Sequence, residues 1–205
     1  MSDISLKQIK ELRKRTGVGI QNVKEALEES DGDIEKAVVY LRKKGIAKAA
    51  KRAGKAAENG FIAHYIHGGG QIGVLVELNS ETDFAARNER FQELAHDIAM
   101  HIAANNPEYI SIEDIPEEEL DKEKKVYAKD LEGKPENVKE KILEGKLSKH
   151  YQEVVLLEQP FLKDDSKKVK DLLNEAVAAI GEKVEIGRYA RFEISAPANG
   201  CGLES

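Results

Sequence analysis

Few residues in this chain are spaced for covalent chemistry. His64 and His67 lie three apart in a run that reads as a strand, which sends them to opposite faces and argues against a shared metal. His96 and His101 lie five apart in a helical run and share no face, so packing or solvent roles fit both. The single Cys201 permits neither an internal disulfide nor a cysteine metal site and reads as a free thiol in the tail. No Gly-x-Ser-x-Gly, His-Glu-x-x-His or Cys-x-x-Cys occurs, and the Gly68-Gly69-Gly70 triplet lacks the Gly-Lys-Ser/Thr sequel of a phosphate loop. The carboxylates are many but are placed like surface charge. The residues therefore assign no catalytic group, no metal and no cofactor. What stands out instead is a residue suited to contact. In Asn79–Phe91 a polar stretch is interrupted by one large aromatic, Phe84, flanked by Asp83 and by Ala85 and Ala86. An apolar wedge on a polar loop is either tucked in for packing, the commoner case, or held out for a partner.

The neighbouring elements would hold that stretch at a fixed place. Before it, Ile72, Val74, Val76 and Leu78 alternate as in a strand. With Gly60–His67 and the glycine triplet they predict an antiparallel hairpin. After it, Phe91, Leu94, Ala95, Ile98 and Ile102 stripe a helix that ends near Asn105-Asn106-Pro107. Pro116 and three glutamates open a further helix to about Leu131, and Gly133-Lys134-Pro135 breaks it. Another helix runs to about Glu158, so residues 117–158 read as a charged helical arm. Gln159-Pro160 is a stop, and Lys163–Ser166 reads as the N-cap region of a helix striped by Val169, Leu172, Leu173, Ala176 and Ile180. Val184–Ile194 is expected to be a strand with Val184, Ile186, Ala190, Phe192 and Ile194 on one face, joining the hairpin in one sheet.

The N-terminal part has a different character. Ser5 and Gln8 have the spacing of a capping box, and Leu6, Ile9 and Leu12 supply an apolar stripe. Ile20, Val23 and Leu27 mark a second short helix. Asp33 is an expected N-cap for a third, striped by Ile34, Ala37, Val38 and Leu41, with Gly45 its expected C-cap. The expected organisation is α+β. Residues 1–45 form a three-helix module, 46–59 a basic, partly helical Ala/Lys linker, 60–195 a core domain with its arm, and 196–205 an irregular tail.

The chain has 205 residues and a formal net charge of −6, which hides an asymmetry. Residues 1–57 hold 14 of the 32 Lys/Arg and 8 of the 38 Asp/Glu, leaving 18 against 30 for the remainder. A basic module on an acidic body suggests an anionic surface as the module's partner. No aromatic residue interleaves Arg42–Lys55, which argues against a base-stacking platform and against direct nucleic-acid binding. No apolar run approaches the length of a membrane span. Met1-Ser2-Asp3-Ile4 lacks the start of a signal peptide, so the expected location is the cytoplasm.

Two stretches together carry a family resemblance. Leu12-Arg-Lys-Arg-Thr-Gly-Val-Gly-Ile20, continued by Lys24–Leu27 and Asp31–Ile34, resembles the ubiquitin-associated-like N-terminal domain of the elongation factor Ts family. Thr82-Asp-Phe-Ala-Ala-Arg-Asn88 resembles that family's Thr-Asp-Phe-Val-Ala-Lys/Arg-Asn signature. His101–Ile112, Gln159-Pro160-Phe161 and Arg191-Phe192-Glu193 fit its later segments, so the likeness covers nearly the whole chain in order. The resemblance implies guanine-nucleotide exchange on elongation factor Tu, bound to GDP or nucleotide-free, without covalent catalysis. Carried over by motif, Thr82, Asp83, Phe84 and Ala85 are the loop that reaches the partner's magnesium and phosphate site. Arg13, Ile20 and Lys24 are module contacts to its GTPase domain. Ala85 stands where the family more often has valine, and Gln21 stands where some relatives have an apolar residue and is left unassigned. Longer members carry two related core subdomains; the single core here implies a homodimer in which a second copy supplies the other half.

Two other classes compete with this reading. One is a non-enzymatic adaptor whose three-helix module binds ubiquitin-like or other partners. The other is an RNA-binding module that uses the basic N-terminal region.

Overall fold

Local side-chain chemistry sets most element boundaries. The computed structural model describes residues 4–128 and 135–194. Helix α1 (Leu6–Thr16) opens on a capping box: Ser5 Oγ accepts from the Gln8 backbone, and the Gln8 side chain accepts from the Ser5 N–H. Gly17 closes it at φ 72°, a left-handed conformation that an L side chain resists. Helix α2 (Ile20–Glu28) follows, then α3 (Ile34–Arg52), whose cap Asp33 accepts from Glu35 and Lys36 N–H. Leu12, Val23, Ala26, Leu27, Ala37 and Leu41 bury themselves between these three helices.

Strands β1 (Asn59–His67) and β2 (Ile72–Ser80) form the expected hairpin, with Gly68, Gly69 and Gly70 all at positive φ in the turn. A single turn of helix, α4 (Asp83–Ala86), leads to α5 (Glu89–Asn105). The arm is α6 (Glu117–Ala128) and α7 (Glu136–Val154). A small ladder of β3 (Pro160–Phe161) and β4 (Asp164–Lys168) precedes α8 (Val169–Ile180) and β5 (Val184–Glu193). The main sheet is antiparallel in the order β1-β2-β5, and α5 and α8 pack against one of its faces. The architecture is the α+β arrangement expected. Leu131, Gly133, Lys134, Cys201 and the tail 196–205 lie outside the described residues.

Three sequence expectations need correction. Gly45 is not a C-cap: α3 continues through it to Arg52 as one helix, so the first half of the expected partly helical segment 46–59 is helical. Its alanine-rich second half lacks a stripe of large apolar residues and lies close against α8. A Cβ on Gly45 would stand 3.0 Å from the Asn174 carbonyl oxygen. Ala49 packs into the core domain, while Ala178 and Ala179 of α8 pack into the module's core. Small residues here permit close helix contact, where periodicity alone suggested an exposed spacer. Arg42 adds an ion pair to Asp171 across the same junction.

Secondly, Lys163–Ser166 is not the helix cap. Asp164 and Ser166 lie in β4, where Asp164 accepts from Ser166 Oγ at 2.6 Å, and the helix is instead capped at Lys168, whose N–H donates to Asp171 at 3.0 Å. Thirdly, β5 does not keep one apolar face. Leu78 pairs with Ile186 but Glu77 pairs with Arg188, so Gly187 is a bulge that reverses the alternation. Val184 and Ile186 are buried, whereas Phe192 and Ile194 turn to the opposite face and are exposed.

Candidate functional site

The strand-to-helix crossing after β2 places Phe84 on the surface. Thr82 caps α4 by accepting from Ala85 N–H at 3.3 Å. Ala85 and Ala86 face inward and are buried, and Phe91 at the start of α5 is fully enclosed. The inward alanines turn Phe84 outward, and it is 83% exposed, more than any other large apolar side chain described. Asp83 is exposed beside it and pairs with Arg87 at 3.0 Å, one turn along. The stretch read from sequence as a loop is therefore a capped helical turn, with an aromatic and a carboxylate on its outer side.

Side chains near and far in sequence hold the turn. Thr82 N–H donates to Glu182 Oε2 at 3.0 Å, and Thr82 Oγ1 donates to Glu182 Oε1 at 2.8 Å. Ser80 Oγ donates to the Thr82 carbonyl at 2.9 Å. Glu81, next door, accepts from Lys183 N–H at 2.7 Å and from Arg52 Nη1 at 2.5 Å. The Lys183 N–H and then the Arg52 guanidinium hold the Glu81 carboxyl below the ordinary carboxylate range. Lys183 Nζ also donates to the Lys55 carbonyl at 3.1 Å. The end of α3 and the turn after α8 thus converge on the base of the wedge.

The module contributes a second exposed surface. Arg13, Ile20 and Lys24 are all exposed, with Ile20 and Lys24 one turn apart on α2. The Gly17 turn between α1 and α2 lies directly against the Arg90 guanidinium of α5, which a side chain at Gly17 would displace. Arg90 follows Phe84 by six residues, so the module's first turn meets the start of the helix that leads away from the wedge. Two grooves of about 290 and 280 Å³ flank α3 where it meets α8. Lys44 and Lys48 line the first, and Arg42 and Asp164 the second. The second also holds Ser166, whose Oγ donates to Asp164 Oδ1 at 2.6 Å, but neither groove is lined by a histidine or a cysteine. Among the described residues no group of three or more His, Cys, Asp or Glu side chains is placed to hold a metal.

The sequence did not reveal Glu182, Glu81, Arg52 or Arg90. Glu182 meets Thr82 across 100 positions and Arg52 meets Glu81 across 29, separations at which no periodicity links two residues. The one available signal was a departure from expectation: a basic segment without an apolar stripe. Arg42, Lys44 and Arg52 of that segment each pair with a carboxylate of this chain. The basic stretch is therefore only partly free for an anionic partner.

Comparison with known proteins bears on the whole chain. A sequence model of the family described as Elongation factor TS matches residues 9–196. The chain is 54% identical to Elongation factor Ts of Moorella thermoacetica over 193 residues, covering 93% of this chain and 95% of that protein. It is 52% identical to Elongation factor Ts of Desulforamulus reducens over 206 residues, with 100% and 93% covered. It is also 52% identical to Elongation factor Ts of Thermotoga neapolitana over 192 residues, with 94% and 98% covered.

Proposed function

The chain belongs to the elongation factor Ts family, and from that premise we propose that it releases GDP from elongation factor Tu by contact alone. Exchange makes and breaks no covalent bond, so the role requires no catalytic residue. The observation that carries this reading is the outward Phe84 on a turn whose other side is buried and tied down. An aromatic left in water on a fixed support is available to a partner, whereas one placed for packing would be covered. Phe84 and Asp83 enter the neighbourhood of the GTPase magnesium and phosphate site, with Thr82 and Ala85 forming the turn. Arg13, Ile20 and Lys24 dock on the same GTPase domain. Asp83 must exchange its pairing with Arg87 for groups of the partner, which costs little because exposed ion pairs contribute about 0–1 kcal/mol.

Magnitudes show that the contact is distributed. By linkage, a factor that weakens GDP binding is weakened by GDP to the same extent. A ten-thousandfold effect requires about 5.5 kcal/mol of differential interaction. Burying one Phe supplies about 1.5–3 kcal/mol, so Asp83 and the module must contribute the rest. The complex therefore forms with the GDP-bound GTPase and is tightest with the nucleotide-free one.

A homodimer is the second part of the proposal. One face of the main sheet carries Ile62, Ile66, Leu75, Phe192 and Ile194, all half or more exposed, and no described element covers it. Contiguous exposed apolar surface of this kind supports association, and a second copy offers the same face. The cytoplasm, where translation takes place, is the location the reading implies. No helix among the described residues is long and apolar enough to cross a membrane.

The test is stopped-flow release of fluorescent GDP from elongation factor Tu, with the parent protein and with Phe84→Ala. The parent is expected to accelerate release and the variant to accelerate it about tenfold to a hundredfold less. Equal rates would remove Phe84 from the mechanism.

A further inference from the structure

We infer that Glu182, in the turn after α8, is a positioning residue for the exchange wedge; the inference rests on the wedge reading given above. Helix α4 has four residues, a single turn, and an isolated turn of helix does not hold its own geometry in water. The direction of Phe84 must therefore be imposed from outside α4. Ala85 and Ala86 fix one side by burial, and Ser80 and Gln92 hold the Thr82 and Ala86 carbonyls, but none of these contacts secures the Thr82 N–H at the start of the turn. Glu182 does. Its two carboxylate oxygens receive the backbone N–H and the hydroxyl of one residue, Thr82, at 3.0 and 2.8 Å. A two-pronged contact fixes orientation as well as distance, and hydrogen bonds to an ionised acceptor are the stronger kind.

The latch is reciprocal. Glu182 holds the N–H of Thr82, and Glu81, the residue before Thr82, holds the N–H of Lys183, the residue after Glu182. Each turn's carboxylate thus secures the other turn's backbone. Glu182 itself follows Gly181, the C-cap of α8, so the latch is built on the end of a packed helix. The Arg52 guanidinium on Glu81 brings the end of α3 into the same network. The module and the wedge, two surfaces that would touch one GTPase domain, are therefore held at a set spacing through this latch.

The hydrogen bonds lie at the surface, so losing them is expected to leave global stability nearly intact while letting Phe84 swing. The experiment titrates the factor against fluorescent-GDP-loaded elongation factor Tu by stopped flow. The maximal release rate is read separately from the half-saturating concentration. Glu182→Ala is expected to lower the maximal rate about tenfold, as misplacement of a contact group does. The half-saturating concentration should move less than about twofold, and Tm should stay within about 3 °C of the parent. Glu182→Gln, which still offers an acceptor and a donor to Thr82, should recover most of the rate. In a Phe84→Ala background, Glu182→Ala should add less than about twofold, because no wedge remains to aim.

An unchanged maximal rate, a loss confined to half-saturation, or an equal loss with and without Phe84 would each overturn the inference. If Phe84→Ala itself leaves release unchanged, the wedge reading and the latch fall together. If Phe84→Ala slows release and Glu182→Ala does not, only the latch falls. Should Glu182→Ala not fold, Glu182→Asp carries the test, since its shorter carboxylate cannot reach both Thr82 donors and must give an intermediate rate.

Discussion

Gly45 and Ala178 meet at the junction of the module and the core domain: a Cβ on Gly45 would lie 3.1 Å from that of Ala178 and 3.0 Å from the Asn174 carbonyl oxygen. The obstacle includes backbone of α8, which cannot step aside as the end of a long side chain can. Gly45→Val is expected to lower unfolding free energy by about 1–3 kcal/mol through overpacking, after the few tenths that replacing a mid-helix glycine returns. Urea denaturation reads this directly, and an unchanged or raised midpoint would show that the two helices can part without loss.

Phe84 and Phe91 lie seven residues apart and are expected to behave as opposites. Phe91 has no exposed surface, and Phe91→Ala should cost about 3–5 kcal/mol of stability. Phe84 is almost wholly in water, and Phe84→Ala should shift stability by less than about 0.5 kcal/mol. Thermal melts of the two variants decide the matter. A large loss in Phe84→Ala would mean that the ring packs on its own chain.

His101 gives stability a pH dependence. Its ring is buried, Nε2 lies 2.9 Å from Gln159 Oε1, and Nδ1 accepts from Leu162 N–H at 3.2 Å. That donor fixes the neutral tautomer with its hydrogen on Nε2. Burial pushes the His101 pKa below its ordinary value of 6.5, against the opposing hydrogen bond to Gln159. Because the folded value is depressed, the unfolded chain takes up the proton first. The contribution is full above about pH 6.5 and is lost as pH falls from there through the folded value. Urea midpoints between pH 7.5 and 5 should fall accordingly. His101→Gln should flatten that slope while lowering stability at pH 7.5 by about 1–3 kcal/mol.

The outer sheet face supplies the last expectation. Phe192 is exposed opposite Gly73, beside Leu75 and Ile66. Phe192→Glu should turn a dimeric parent into a monomer in sedimentation velocity at micromolar concentration, with stability little changed. A monomeric parent would end the homodimer proposal.

The sequence was most legible where one residue acts on its close neighbours. Ser5 with Gln8, Asp33 at the start of α3, the glycine triplet and the stripe of α5 all work within a few positions. It was least legible where small residues carry the packing. The Gly45, Ala49, Ala178 and Ala179 contact offers nothing to a search for large apolar side chains, so a helix that runs through Gly45 was expected to stop there. The bulge at Gly187 defeats periodicity in a different way, since one unpaired residue reverses every later side chain. At the candidate site, the motif located Phe84, but the carboxylates that aim it belong to contacts formed only once the chain has closed.

Helix α3 also sets an angular register. Each residue added to a helix advances it by about 1.5 Å and turns it by about 100°. One residue inserted between Leu41, in the module's core, and Ala49, in the core domain, would rotate Ile20 and Lys24 by about 100° relative to the core domain that carries Phe84. Seven residues would nearly restore the angle but lengthen the reach by about 10 Å. No insertion preserves both, so the segment that most resembles a spacer is the one whose length is least free to vary.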